Sequence, residues 1–254
     1  MLIDRSMVRM QFDAYVANYN DSDDKIRLKK EHTYQVCDLC ECIAKDISLS
    51  KEDTDLAWLL GMLHDIGRFE QIKRYGTFND AESIDHAKLG ADILFHENRI
   101  RDYIEDKTED ELIEKAIRAH NQLRLPDGMN EREVMFCNIL RDADKIDILR
   151  VNTEFSIAEI YNVREEELLD ASITDEVYRQ FYEEHAILRS LKTSPVDHIV
   201  GHLSMIFELV YPISVQILKE HGYLKKIFEF HSSNPVTQER FLQMRHKMEK
   251  LGYL

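Results

Sequence analysis

Helix breakers are scarce in this sequence: it holds eight glycines and four prolines among 254 residues. That scarcity argues against a turn-rich all-β chain. Cysteine is equally sparse, with Cys37, Cys40, Cys42 and Cys137 only, and three of these fall within one helical segment. A disulfide framework is therefore not expected, and a reducing, cytoplasmic compartment is. No apolar run reaches membrane-spanning length, and the opening MLIDRSMVRMQFDAY carries charge throughout, unlike a secretory leader. Basic excess is missing too. A net charge of -15 repels a nucleic-acid backbone and leaves no basic stripe for counterion release, so neither nucleic acid nor membrane is expected as a partner. Small anions stay open, because a local cation can reverse the potential inside a pocket.

What is present is helical period. Apolar residues recur every three or four positions, predicting helices over Met7 to Tyr19, Lys25 to Ile47, Thr54 to Ile66, His86 to Glu97, Asp110 to His120 and Glu131 to about Val151. Gly67 stands where the third of these would stop. Arg68 to Asp85 reads as a connection, too long for a simple turn and so a candidate pocket wall. The fold class expected is all-α, with a functional core over residues 1–152. A helical C-terminal region over 153–254 is expected to pack onto that core in the same globular unit, with breaks near Ser190 to Pro195 and Ser232 to Pro235.

Residues able to ligate a metal interrupt the apolar stripes. Ile113, Ala116, Ile117 and His120 share one stripe, as do Phe136, Leu140, Ala143 and Asp144. His32, His64, Asp65, His86, His120 and Asp144 form a set of imidazoles and carboxylates suited to Mn, Fe, Co, Ni or Zn. Adjacent His64 and Asp65, about 100° apart around a helix, can reach one ion together, and the carboxylate can bridge to a second. A single histidine on such a stripe is ordinarily a hydrogen-bonded core residue; the doublet within a set is what points to a metal.

The order His32, His64-Asp65, Asp144 resembles the H…HD…D pattern of the HD phosphohydrolase superfamily, and the doublet continues as HDIG through Gly67. DHAKLGADIL places His86, and AIRAHNQLRLPDG places His120, in the six-ligand arrangement of binuclear members, so the resemblance covers roughly residues 25 to 150. It implies a helical HD-domain bundle. One ion would be held by His32, His64, Asp65 and Asp144, and Asp65 would bridge to a second held by His86 and His120. Two dications against two carboxylates leave a positive centre that draws in a phosphate dianion; a single ion would leave the set neutral. The implied chemistry is attack of metal-activated water on a phosphate mono- or diester of a nucleotide or small phosphorylated metabolite. Arg68 and Lys145 are candidates for phosphate contact or leaving-group protonation, or else ordinary ion-paired charges. Around His120 the chain also resembles the HD-GYP cyclic-di-GMP phosphodiesterases, but it has His120-Asn121 where they have adjacent histidines, and it lacks GYP. That argues against cyclic-di-GMP and a third metal.

Two other classes share the ligand pattern: mixed-valent di-iron oxygenases of the HD fold, and a non-catalytic nucleotide sensor. The ligands alone do not separate them. Cys37-Asp-Leu-Cys40 with Cys42 lacks a second pair for zinc and reads as packing. His198 and His202, four apart, lack an acidic partner for a zincin site; His202 alone is a minor candidate for the pocket wall. The apolar stretch Met205 to Glu220, interrupted by Pro212, reads as a core helix or a homo-oligomer face.

Overall fold

The computed structural model describes residues 2–20, 22–155, 158, 160 and 163–254, and among these there is helix and loop but no strand. No described helix is long and apolar enough to cross a membrane. The chain divides into two compact units, Met1–Asp144 and Lys145–Leu254.

The first unit is built from α1 (Arg5–Val16), α2 (Asp24–Asp46), α3 (Lys51–Leu63), α4 (Ile66–Tyr75), α5 (His86–Ala91) continued by a π turn at Asp92–His96, α6 (Asp110–Ala119) and the first part of α7 (Glu131–Glu154). Local signals fix the starts. Asp4, Asp23, Ser50 and Asp85 accept backbone N–H groups at the heads of α1, α2, α3 and α5. The expected stripes are the buried ones: Ile113, Ala116 and Ile117 on α6 and Phe136, Leu140 and Ala143 on α7 are fully enclosed.

Two expectations are corrected. Gly67 ends no helix; it lies inside α4, and the αL stop is Gly76, with φ +67°. The first part of the expected connection, Arg68 to Tyr75, is accordingly helix, leaving 76–85 as loop. Gly67 has a packing reason instead. A Cβ there would lie 2.3 Å from the His86 carbonyl oxygen and 2.6 Å from the Gly90 nitrogen, so α4 and α5 touch backbone to backbone. Gly61 does the same for α3 against α2, where a Cβ would meet the Cys37 backbone at 2.8 Å. The four cysteines are free thiols, Cys42 exposed and the rest buried.

In the second unit the described elements are the end of α7, α8 (Glu165–Asp170), α9 (Asp175–Tyr182), α10 (Pro195–Leu203), α11 (Pro212–His221), α12 (Tyr223–Ile227) and α13 (Pro235–Lys250). Pro195, Pro212 and Pro235 each open a helix, the position where a missing N–H costs nothing. Met205 to Glu220 is therefore two pieces, a 3₁₀ turn at Ser204–Glu208 and α11. The core here is Val177, Phe181, Val200, Leu203, Phe241, Met244 and Met248.

The close approach at Gly67 predicts that Gly67→Ala destabilises by about 3 kcal/mol through overpacking, roughly 6–12 °C in melting temperature for a chain of this size. Gly76→Ala, where nothing lies within 4 Å, should cost only about 1 kcal/mol of backbone strain. Thermal melts followed by circular dichroism check the ranking; equal losses at both positions would contradict it.

Candidate metal centre

The six sequence-predicted ligands meet inside the first unit, and four of them sit at helix ends. His64 follows the last residue of α3, Asp65 precedes α4 in a non-helical conformation (φ -105°, ψ 16°), His86 opens α5 and His120 follows α6. The doublet thus straddles a break between two helices, where one continuous helix was expected. His32 and Asp144 come from the middles of α2 and α7.

All four imidazoles turn Nε2 inward. His32 and His64 bring their Nε2 atoms within 3.3 Å of each other, and His86 and His120 theirs within 3.0 Å. Asp65 lies between the pairs. Its Oδ2 is 3.5 Å from both His32 and His64, whereas its Oδ1 is 3.4 Å from His86 and 3.7 Å from His120. Asp144 Oδ1 closes the first pair at 3.1 Å from His32 and 3.7 Å from His64.

The outward nitrogens decide what those contacts mean. His64 donates Nδ1–H to the Gly61 carbonyl and His120 donates Nδ1–H to the Ile117 carbonyl, both at 2.7 Å. Each carbonyl lies three residues back in a final helical turn, where acceptors lack intrahelical donors. His86 donates Nδ1–H to Asp80, at 2.8 Å from Oδ2. With the proton fixed on Nδ1, the Nε2 of a neutral ring presents a lone pair. In their neutral forms His86 and His120 therefore face each other lone pair to lone pair, beside a carboxylate oxygen. Such a contact is repulsive unless a cation occupies it, and metal–nitrogen bonds of about 2.0–2.1 Å place neighbouring ligand nitrogens about 3 Å apart. The donor set fits divalent metal.

Titration behaviour agrees with neutral rings. Burial pushes His64 down, and His86 falls to about 3, through burial first and then the nearby Arg68 guanidinium. Burial raises the Asp65 carboxyl, but Lys29 and the surrounding imidazoles outweigh it and hold it well below the usual carboxylate range. Asp144 is likewise held well below the usual carboxylate range, its burial outweighed by the facing His32 and His64 side chains. Five of the six side chains are at most 3% exposed and Asp144 is 14% exposed, so the open edge of the cluster lies at Asp144.

Two groups escaped the sequence reading. Lys29 places Nζ 2.7 Å from Asp65 Oδ2; its one signal was its position a helical turn before His32. Asp80 lies in the 76–85 loop, where no periodicity could mark it. It binds His86 on one side and Arg68 Nη1, at 2.8 Å, on the other. Arg68 also donates to the Phe78 carbonyl and to Gln71, while its Nε is 3.7 Å from Asp65 Oδ1, buried and without an acceptor. Among the described residues three groups could hold an ion: His32–His64–Asp144 and His64–Asp65–His120, which share His64, and the separate Asp80–Asp85–His86. In the third, Asp80 engages the Nδ1 side of His86 and Asp85 caps α5, roles that leave Nε2 to the centre. Lys145 follows Asp144 on α7 and is half-buried. Cys37 and Cys40 are buried with thiols held well above their usual range by that burial, as packing residues would be. His202 is buried and donates Nδ1–H to Asn152 at 2.8 Å.

Residues 30–152 match the family model for the HD domain, a span that contains all six candidate ligands. No curated protein and no solved structure gave a significant match.

The depressed histidines set a pH dependence for metal-free protein. Below the ordinary imidazole value of 6.5 the unfolded chain takes up protons that folded His64 and His86 refuse, so stability falls as pH falls from about 6.5. The carboxylates lose their contribution only below their ordinary value of 3.8. Urea unfolding of chelated protein should show stability falling between pH 7 and pH 5, by at most about 2 kcal/mol per histidine, and falling less in His86→Asn. A flat profile would contradict the neutral, inward-facing rings.

Proposed function

Residues 30–152 form a domain of the HD superfamily, and on that premise we propose that the chain is a metal-dependent phosphohydrolase. Its substrate is a phosphate ester of a nucleotide or small phosphorylated metabolite. The observation that carries the reading is the division of Asp65 between two imidazole pairs, Oδ2 toward His32 and His64 and Oδ1 toward His86 and His120. His32, His64, Asp144 and Asp65 would hold one divalent ion, and His86, His120 and Asp65 a second, drawn from Mn, Fe, Co, Ni or Zn. Bound there, such ions supply Lewis acidity and bring the pKa of coordinated water down to about 7.

The protein's own groups supply the rest. Asp80 holds His86 with Nε2 inward, and the Gly61 and Ile117 carbonyls do the same for His64 and His120. Fixed donors need no reorganisation when charge develops. Two dications against two carboxylates make a net positive centre within a chain of charge -15, so a phosphate dianion is attracted locally and other polyanions are repelled at long range. Arg68 contributes a buried Nε–H that lacks an acceptor beside Asp65, suited to a phosphate oxygen. Lys145, one residue past the exposed edge at Asp144, is assigned protonation of the leaving group.

Chelated protein reloaded with each of the five metals, assayed against an aryl phosphate and a nucleotide panel, tests this reading. Turnover should return with metal and fall by about 10³-fold or more in Asp65→Ala. Bound metal without cleavage of any ester would contradict it.

A further inference from the structure

Gln71 is a fully enclosed polar side chain on α4, a helix whose Phe69 and Ile72 are also buried. A buried amide is costly unless its hydrogen bonds are made. Here they are made to Arg68 and to the 76–85 loop. Oε1 accepts from Arg68 Nη1 at 2.7 Å, while Nε2 faces Asp80 Oδ1 at 3.0 Å, the Ser83 hydroxyl at 2.9 Å and the Ile84 carbonyl at 2.9 Å. The amide fits only one way round, because a guanidinium only donates, whereas a carboxylate and a carbonyl only accept. Asp80 in turn accepts Nδ1–H from His86 at 2.8 Å. The Arg68 Nη1 that Gln71 holds also donates to Asp80 Oδ1 at 2.8 Å, and Asn121 adds a longer bond to Oδ2 at 3.4 Å.

We propose that Gln71 is a positioning residue for the second ion: it sets Asp80 against His86, and so governs the ion held by His86 and His120 separately from the one held by His32, His64 and Asp144. The inference rests on the two-ion reading of the cluster. No helix or strand directs Asp80 within the 76–85 loop, so side-chain bonds must do it. Gln71 joins Asp80 to two further points of that loop, Ser83 and Ile84, and anchors the whole to α4. An acceptor behind a ligating imidazole keeps the proton on the outer nitrogen and raises the basicity of the inner one; losing such a partner costs about 10–100-fold in metal affinity. The His32–His64 side has its own support in the Gly61 carbonyl behind His64, and is therefore spared. By the same amide Arg68 is held at Nη1, which leaves its Nε 3.7 Å from Asp65 Oδ1.

Calorimetric titration of chelated full-length protein with Mn should show two ions binding to wild type. Gln71→Met, similar in length but without the amide, should weaken one of them about tenfold or more and the other by less than about twofold. Ser83→Ala removes a bond of the same amide but leaves the one to Asp80, so it should lower the melting temperature and keep both affinities. In an Asp80→Asn background Gln71→Met should add little further loss, because the two act through one bond. A second readout needs no metal: nitrogen NMR of the chelated proteins should show His86 as the Nδ1–H form in wild type and as a mixture with the Nε2–H form in Gln71→Met. Should Gln71→Met not fold, Gln71→Glu, of the same shape but with no N–H for Asp80, takes its place in each measurement. Both affinities unchanged in Gln71→Met, an equal loss in Ser83→Ala, or a single ion in wild type would each overturn the proposal. Two ions in wild type and selective loss in Gln71→Met, with no ester cleaved, would uphold it and remove the hydrolase reading. Ester cleavage with both affinities unchanged in Gln71→Met would do the reverse.

Discussion

The first unit turns on one contact: the imidazoles of His86 and His120 bring their Nε2 atoms to 3.0 Å beside a carboxylate oxygen, an arrangement unfavourable by itself when both rings are neutral. The His32–His64 pair, at 3.3 Å, repeats the pattern on the other side of Asp65. In the neutral forms of His64, His86 and His120 the one ring proton sits on Nδ1, committed to an acceptor outside the cluster, so the His86–His120 contact has no ring proton to share. A packed interior tolerates such an arrangement only when something offsets it. Divalent cations would offset it twice, by accepting the lone pairs and by balancing two carboxylates held ionised.

The backbone serves that geometry. Helix ends, which leave carbonyls without donors, are used to lock His64 and His120, each bonded to the carbonyl three residues before it. Glycine lets the helices come close enough: Gly61 against Cys37 sets α2 beside α3, and Gly67 against His86 and Gly90 sets α4 on α5. Arg141 ties the chain after His120 to α7 by donating to the Gln122 and Leu123 carbonyls, linking the element that ends in His120 to the one carrying Asp144. Two cations, Lys29 and Arg68, lie over the Phe78 ring at 5.5 and 5.7 Å, so the loop that delivers Asp80 is held from both sides.

Much of this could be read from the sequence. Long stripes such as Ile113, Ala116 and Ile117 fixed helix type, and a His-Asp doublet with four outlying ligands in order marked where to look. Other features were hidden because they depend on encounters between distant segments. Lys29 looked like one more charge on α2 until Asp65 met it. Asp80 lay in a loop without period. Gly67 carried the ordinary signature of a helix end, whereas its role is a backbone contact with residues some twenty positions later. The break between α3 and α4 was equally hidden, since the His64 ring bond to Gly61 and the turned backbone at Asp65 leave no mark in hydrophobic pattern. In the second unit, prolines signalled boundaries correctly.

In the proposed centre Asp65 would hold both ions. Crystals of protein loaded with Mn or Zn, measured with anomalous scattering at the metal edge, test it most directly. Two peaks are predicted, one against His32, His64 and Asp144 and the other against His86 and His120, each about 2.0–2.2 Å from a different oxygen of Asp65. A single peak among Asp80, Asp85 and His86, or no peak at all, would contradict it.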